Sequence, residues 1–144
     1  SASVACDAHH KFRRMGIITE LVNDVNSQMI LSTTGDSDDL IIVISNEGAN
    51  KELNLALNVA KTNGMKILAI TQFTSSPLID LADTSLLTLM HDLGEKPESL
   101  ISRVSSYCII DIIYVAYCMK ANISLEEQLK KLNANMKLLK NYDS

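Results

Sequence analysis

Residues 38–63, DDLIIVISNEGANKELNLALNVAKTN, decide the fold. A continuous apolar run at residues 40–44 leads into a polar turn at residues 45–50. A short β-rich apolar run bounded by turn residues predicts a buried parallel strand. After the turn, apolar side chains recur at helical spacing, at Leu53, Ala56, Leu57 and Ala60. This spacing predicts an amphipathic helix, which ends at Asn63-Gly64.

The polar turn is the candidate functional site. The first N–H groups of a helix have no intrahelical partner and carry the positive end of the helix dipole. A strand, a polar turn and a helix start together therefore favour a small anion or a small polar ligand. We predict ligand binding by the residues of the turn, which are Ser45, Asn46, Glu47, Gly48, Ala49 and Asn50.

Strand and helix patterns alternate on both sides of this unit. Before it we predict a helix at residues 3–15, a strand at 17–22 and a helix at 24–33. After it we predict a strand at 65–71, a short helix at 78–82 begun by Pro77, and a strand at 83–90. This alternation predicts an α/β three-layer sandwich with a mainly parallel sheet.

The C-terminal third has a helical pattern only. Residues 98–119 are apolar on nearly all faces, so we expect this helix to be buried on more than one side and to form a dimer interface. Asp111 interrupts the apolar pattern and needs a hydrogen-bond donor or a cation across that interface. A last helix at residues 124–142 starts with the capping box of Ser124 and Glu127. We expect it to dock by one apolar stripe, formed by Leu125, Leu129, Leu132, Met136 and Leu139.

Length and composition exclude several classes of protein. A chain of 144 residues with 47% hydrophobic and 21% charged residues fits one globular domain. A net charge of −4 gives no global attraction to nucleic acid. No run of 18 or more apolar residues and no signal-peptide pattern occur, so we predict no membrane span. Cys6, Cys108 and Cys118 lack metal-ligand spacing and indicate buried, reduced thiols of a cytoplasmic protein, with no metal site and no cofactor.

A basic cluster, HHKFRR at residues 9–14, ends the first predicted helix. The simpler interpretation is a solvated helix end, where cations lie favourably at the negative end of the dipole. A contact to nucleic acid or to an acidic partner is the alternative.

Several segments in order resemble the SIS (sugar isomerase) domain. DDLIIVISNEGANKE, AKTNGMKILAIT and SSPLIDLADTSLL are similar to its strand–turn–helix, its next strand and its S-P-L segment. The opening SASVACDAHHKFRRMG resembles the family's first helix, which starts at the Ser of a G-x-S turn. KFRRMG and SRVSSYCIIDIIY are similar to the SIS domains of RpiR-type bacterial transcriptional regulators. The resemblance covers nearly all of residues 1–144.

The resemblance implies a flavodoxin-like sheet, a phosphosugar site at the strand ends that includes Ser1, and a homodimer or tetramer. In RpiR-type regulators an N-terminal helix-turn-helix domain binds DNA, while the SIS domain senses the sugar phosphate. We expect that DNA-binding domain and the first strand of the sheet to be absent from this chain. The chain would then contact a small sugar or sugar phosphate itself, and DNA only through the missing domain.

Two positions depart from the family pattern S-x-S-G-x-T-x-E. Ser45, Gly48 and Glu52 match its first Ser, its Gly and its trailing Glu. Asn50 replaces the Thr, and Glu47 replaces the second Ser. A carboxylate roughly 4 Å from a phosphate repels each unit charge by about 1 kcal/mol in water-like screening. We therefore hypothesise that phosphosugar affinity is weakened or lost.

Three arrangements of Glu47 follow from this departure. It points outward and leaves phosphate binding intact, it satisfies the free N–H groups of the helix start, or it pairs with an uncharged or amine-bearing ligand.

Two other functions stay open at this point. A sugar-phosphate isomerase needs a base, and His91, Glu95 and Glu98 lie in the loop before the long helix. The simpler interpretation is that these acids cap the helix. The third candidate is a dimerisation scaffold whose pocket is vestigial.

Overall fold

Parallel strands form the centre of the fold. The computed structural model describes residues 1–88 and 100–142. Within those ranges the elements are α1 Ala2–Arg14, α2 Val25–Thr34, β1 Leu40–Ile44, α3 Lys51–Thr62, β2 Lys66–Thr71, α4 Pro77–Leu81, β3 Thr84–Leu87, α5 Leu100–Lys120 and α6 Leu125–Tyr142.

The sheet has the order β1-β2-β3, and both strand pairs are parallel. Ile41 pairs with Ile67 and Ile44 with Ile70 across the first pair. Because the strands are parallel, the carboxyl ends of all three lie at one edge of the sheet. The predicted α/β fold with a parallel sheet is confirmed for the described residues.

Each face of the sheet packs against helices, which makes three layers. On one face Ile70 packs with residues of α1 and α5, and these are Val4, Ala8, Phe12 and Ile110. On the other face Val43, Ile67 and Ala69 pack with Leu57 of α3 and Leu78 of α4. Alternate residues of one strand thus serve opposite layers, as the two-residue period of a β-strand requires.

Helix ends follow the predicted signals. Asn50 caps α3, because its Oδ1 accepts a hydrogen bond from Leu53 N at 2.8 Å. Gly64, directly after the end of α3, has a φ of +86°, which glycine adopts without steric cost. Pro77 is the first residue of α4, and Ser124 Oγ accepts from Glu127 N at the start of α6.

The strand predicted at residues 17–22 does not form. Ile17 N donates to Phe12 O at the end of α1, and Ile18 is 90% exposed. An apolar run becomes a strand only when a neighbouring strand satisfies its N–H and C=O groups. Among the described residues no strand pairs with this segment. The prediction rested on the local apolar pattern alone, which does not show whether a neighbouring strand is present.

Four predictions need correction, three of them in the C-terminal third. Asp111 pairs with Lys11 of α1 in the same chain, so it needs no partner across an interface. Lys11 also contacts Asp7, and it is not simply part of a solvated helix end. Cys108 is exposed, whereas Cys118 is buried beside Met15. The predicted stripe of α6 stays partly exposed, at Leu129, Leu132, Met136 and Leu139.

The Lys11 pairing fixes α1 against α5. Burial acts to lower the pKa of Lys11, but hydrogen bonds to Asp111 and Asp7 outweigh it and raise the pKa above its ordinary value. The lysine therefore stays charged throughout the neutral range.

One helix in the described part of the chain is long and apolar enough, by length and composition alone, to cross a membrane. It is residues 101–120, within α5. In the fold, Ile110 and Cys118 of this helix are buried, and Ile110 belongs to the core shared with α1 and the sheet. These contacts place one side of α5 in the core, while most residues of this span are exposed or half-buried.

Candidate functional site

The turn at residues 45–50 lies at the carboxyl edge of the sheet. Ser45 N donates to Ile70 O at 3.1 Å, which continues the ladder between β1 and β2. Asn46 O then accepts from Gln72 N at 3.0 Å and from Thr71 Oγ1 at 3.1 Å. The turn is thus anchored to the residues that end the neighbouring strand.

Gly48 makes the tightest contacts in the turn. Its N–H donates to Ser45 Oγ at 3.2 Å, and its carbonyl accepts from Leu78 N at 3.2 Å and from Asn54 Nδ2 at 3.1 Å. Its φ is +63°, and a Cβ there would lie 2.5 Å from Ser76 Oγ. Both the backbone conformation and the space therefore require glycine.

The start of α3 faces the same edge with free donors. Among the described residues, no acceptor lies within hydrogen-bond distance of the N–H groups of Glu47, Ala49 and Asn50. These three residues are exposed. The N–H groups, together with the positive dipole end of α3, can bind an anionic oxygen or a carbonyl.

Glu47 does not fold onto the helix start. Its side chain is exposed, and within the described part of the chain its carboxylate accepts no hydrogen bond from residues 45–53. The arrangement in which Glu47 satisfies the free N–H groups is therefore wrong for this structure. Glu52 lies one turn away, exposed, in the first turn of α3.

Ser1 lies at the start of α1 and is not joined to the turn by any hydrogen bond within the described residues. Its carbonyl accepts from Val4 N and Ala5 N, both at 3.0 Å, while its hydroxyl makes no capping hydrogen bond. Its assignment to the ligand site stays a prediction.

Sequence analysis missed a set of buried polar residues behind the turn. They are Asn54 of α3, Thr71 at the end of β2, Thr88 after β3, and Ser102 and Ser106 of α5. Asn54 Oδ1 is buried without a hydrogen-bond partner in the described residues, although Nδ2 donates to Gly48 O. One feature of the sequence could have revealed Asn54, because it shares a helical face with the apolar Leu57. A polar residue on an apolar face indicates a buried partner.

Other features lie away from this edge. A cavity of about 260 Å³ lies among α1, α5 and α6, and its lining includes Arg13, Arg14, Tyr114 and Lys131. The described residues contain no cluster of three His, Cys, Asp or Glu side chains that could hold a metal ion. The candidate isomerase residues His91, Glu95 and Glu98 lie outside the described residues.

Comparison with known proteins identifies relatives over most of the chain. The family model described as SIS domain matches residues 1–116. An uncharacterised HTH-type transcriptional regulator of Clostridium perfringens is 30% identical over 135 residues, which are 93% of this chain and 48% of the relative. The HTH-type transcriptional regulator HexR of Pseudomonas aeruginosa is 29% identical over 139 residues, which are 94% of this chain and 47% of HexR. The chain thus spans about half the length of these curated relatives.

Solved structures share the fold. The Vibrio vulnificus NanR protein complexed with ManNAc-6P matches with a TM-score of 0.80 and 16% identity, over 98% of this chain and 52% of that one. The sugar isomerase domain of an RpiR transcription factor from Sphaerobacter thermophilus matches with a TM-score of 0.77 and 21% identity, over 93% of this chain and 73% of that one. At these identities the likeness establishes the fold.

Proposed function

The chain belongs to the SIS domain family, and from that premise we propose that it is the effector domain of an RpiR-type DNA-binding transcriptional regulator. In this role it binds a sugar phosphate at the turn of residues 45–50 and forms a homodimer. The observation that carries the proposal is the set of free N–H groups at the carboxyl edge of the sheet, on Glu47, Ala49 and Asn50.

The chemistry of these N–H groups supports an anionic ligand. Several backbone donors at a helix start match the oxygens of a phosphate, and they need no lysine or arginine to bind it. The NanR structure of the same fold holds ManNAc-6P, a sugar phosphate. Ser45 Oγ already accepts from Gly48 N, so its own proton is left to donate to a ligand.

DNA binding belongs to another part of the regulator. The two curated relatives are HTH-type regulators, and this chain covers about half of each. The net charge of −4 disfavours DNA contact by this domain itself. We therefore assign operator binding to a helix-turn-helix domain of a longer protein, which works in the cytoplasm.

A stripe of exposed apolar residues on α5 supports the dimer. It repeats every three or four residues, at Ile101, Val104, Cys108, Ile112, Val115 and Met119. Ile112 is 67% exposed and Met119 is 75% exposed, although both belong to a helix whose opposite side lies in the core. A continuous apolar stripe at this spacing is suited to packing against a second helix. A second copy of the chain offers the same stripe about a two-fold axis, and dimers can pair further into tetramers.

The isomerase is the second candidate. The sequence offers His91, Glu95 and Glu98 as its base, and of the described residues at the turn only Glu47 and Glu52 carry a carboxylate. The two HTH-type regulators among the curated relatives favour the effector domain over the isomerase. In the third candidate, a scaffold, the free N–H groups would bind water only.

Calorimetry distinguishes these functions. The chain is titrated with ManNAc-6P and with a panel of hexose and pentose phosphates, and each unphosphorylated sugar serves as the matched control. We expect saturable binding of at least one phosphate ester and none of its parent sugar. Absence of binding throughout, with no thermal shift, would favour the scaffold. Conversion of an aldose phosphate into a ketose phosphate would favour the isomerase.

A further inference from the structure

We propose that Ser102, in the first turn of α5, is a positioning residue for the ligand turn. Its hydroxyl donates to Asn46 Oδ1 at 3.0 Å, across 56 residues of sequence. Ser102 is 1% exposed, so this hydrogen bond is shielded from water. The inference rests on the proposed function, because the turn that Ser102 holds is the one assigned to the sugar phosphate.

The hydrogen bonds around Ser102 run from Thr88 to Ser102 and from Ser102 to Asn46. A serine hydroxyl has a single proton, and here it is donated to Asn46. Thr88 is therefore the donor in the 3.1 Å contact between Thr88 Oγ1 and Ser102 Oγ, and its one proton is shared with a longer contact of 3.4 Å to Thr71 O. Thr88 is itself held by its N–H, which donates to Thr71 O at 2.8 Å. The ends of β2 and β3 thus fix the hydroxyl that holds Asn46.

Asn46 is consequently held at two points. Its carbonyl accepts from Thr71 Oγ1 and Gln72 N, and its side chain accepts from Ser102. The Asn46 carbonyl and the Glu47 N–H belong to one planar peptide group and point in opposite directions. Because the Asn46 carbonyl is fixed toward the protein interior, the Glu47 N–H points outward. It is one of the free donors of the site. Preorganised donors bind an anion without an ordering cost.

Ser106 provides a matched control on the same helix. It is 2% exposed and lies one turn after Ser102. Its hydroxyl donates to Ser102 O at 2.8 Å, so it serves only the backbone of its own helix. Ser102→Ala and Ser106→Ala each remove one buried hydroxyl, but only the first removes a contact to the turn.

The experiment measures affinity and amide exchange together. ManNAc-6P is titrated into the unmodified chain, Ser102→Ala, Ser106→Ala, Asn46→Ala and the double variant of Ser102 and Asn46. The net free energy of a typical hydrogen bond corresponds to a loss of affinity of about three- to tenfold, which we expect for Ser102→Ala. For Ser106→Ala, which removes no contact to the turn, we expect a loss of less than about twofold. In the Asn46→Ala background, Ser102→Ala should cause no further loss, because its acceptor is gone.

Hydrogen exchange tests the positioning without any ligand. The amides of Gly48 and Gln72 donate hydrogen bonds within this network. In Ser102→Ala we expect both to exchange about three- to tenfold faster, and in Ser106→Ala at the unmodified rate. Thr88→Val, which keeps the side-chain shape, should shift the same amides in the same direction.

Unchanged exchange at Gly48 and Gln72 in folded Ser102→Ala would overturn the positioning role, and so would equal effects of Ser102→Ala and Ser106→Ala. Faster exchange in a chain that binds no sugar phosphate would uphold the positioning role while the proposed function fails.

Discussion

The carboxyl edge of the sheet and the outer face of α5 are stabilised in opposite ways. At the edge, the half-buried Asn46 and the buried Thr71 and Ser102 bond to one another within the chain. On the outer face of α5, apolar side chains such as Ile112 and Met119 are left mostly uncovered by the described residues. In the first region these groups satisfy one another, while the outward-facing N–H groups and the buried Asn54 Oδ1 have no partner among the described residues. The second leaves apolar surface in water, which association with another copy would remove.

This difference fits the two proposed functions, ligand binding at the edge of the sheet and dimer formation on α5. Binding of a small ligand needs donors whose positions are already fixed, and the hydrogen bonds around Asn46 fix them. Dimer formation needs apolar area, and polar contacts there would contribute less. Four predictions test this comparison, and we order them by the size of the expected effect.

Gly48→Ala should have the largest effect. The added Cβ would lie 2.5 Å from Ser76 Oγ and 2.9 Å from Leu78 Cβ, at a φ of +63°. Backbone strain and overpacking together should lower the free energy of unfolding by about 2–5 kcal/mol. Gly16→Ala is the control, since it has a φ of +81° with nothing within 4 Å of the new Cβ. It should cost only about 1–2 kcal/mol. Urea denaturation measures both, and equal losses would mean that the turn is not tightly packed.

Lysine in the α5 stripe, at its centre or at its C-terminal end, should dissociate the proposed dimer. Ile112→Lys or Met119→Lys removes an apolar side chain whose burial contributes about 1.5–3 kcal/mol, so the dissociation constant should rise at least tenfold. Analytical ultracentrifugation measures the change. Leu55→Lys on α3, another exposed apolar site, is the control and should leave the dimer intact. A dimer that survives both α5 substitutions would place the interface elsewhere.

Glu47→Ser should strengthen sugar-phosphate binding. Removal of a carboxylate roughly 4 Å from a phosphate relieves about 1 kcal/mol per unit of phosphate charge, or roughly a fivefold gain in affinity. Calorimetry at two salt concentrations measures it, and the gain should shrink at higher salt. Glu126→Ser on α6, which removes the same charge far along the chain, is the control. Tight binding before the substitution and no gain after it would contradict the repulsion.

Asp83→Asn should have the smallest effect, a loss of stability that is present near neutral pH and disappears in acid. The backbone N–H of Ile67, and to a lesser extent Lys66, hold the pKa of the Asp83 carboxyl below its usual range. A lowered pKa in the folded state contributes stability above the unfolded pKa of about 3.9, and this contribution is lost as pH falls through the folded value.

Asp83→Asn should therefore be less stable than the unmodified chain at pH 6 and should approach it at pH 2. Thermal unfolding across this range measures the difference. Asp38→Asn, whose carboxylate accepts no hydrogen bond from the described residues, is the control. Parallel stability curves for Asp83→Asn and the unmodified chain would refute the expected pH dependence.

Local patterns predicted most of the elements, because their signals lie within a few residues. Asn50, Pro77 and Gly64 mark helix ends by their own conformational preferences, and the structure places the ends there. The failed strand at residues 17–22 has the same apolar pattern but lacks a paired neighbour. A strand depends on a second segment that the local pattern does not contain.

The sequence by itself determined the strand–turn–helix unit, the family and the residues of the turn, because period, caps and glycine act locally. Only the tertiary structure decided which groups surround that turn. Ser102 reaches Asn46 and Lys11 reaches Asp111 across distant parts of the chain. It also decided that Cys108 and the α5 stripe are exposed. Burial depends on how the layers pack, and an apolar helix pattern is the same whether its cover comes from its own chain or from another.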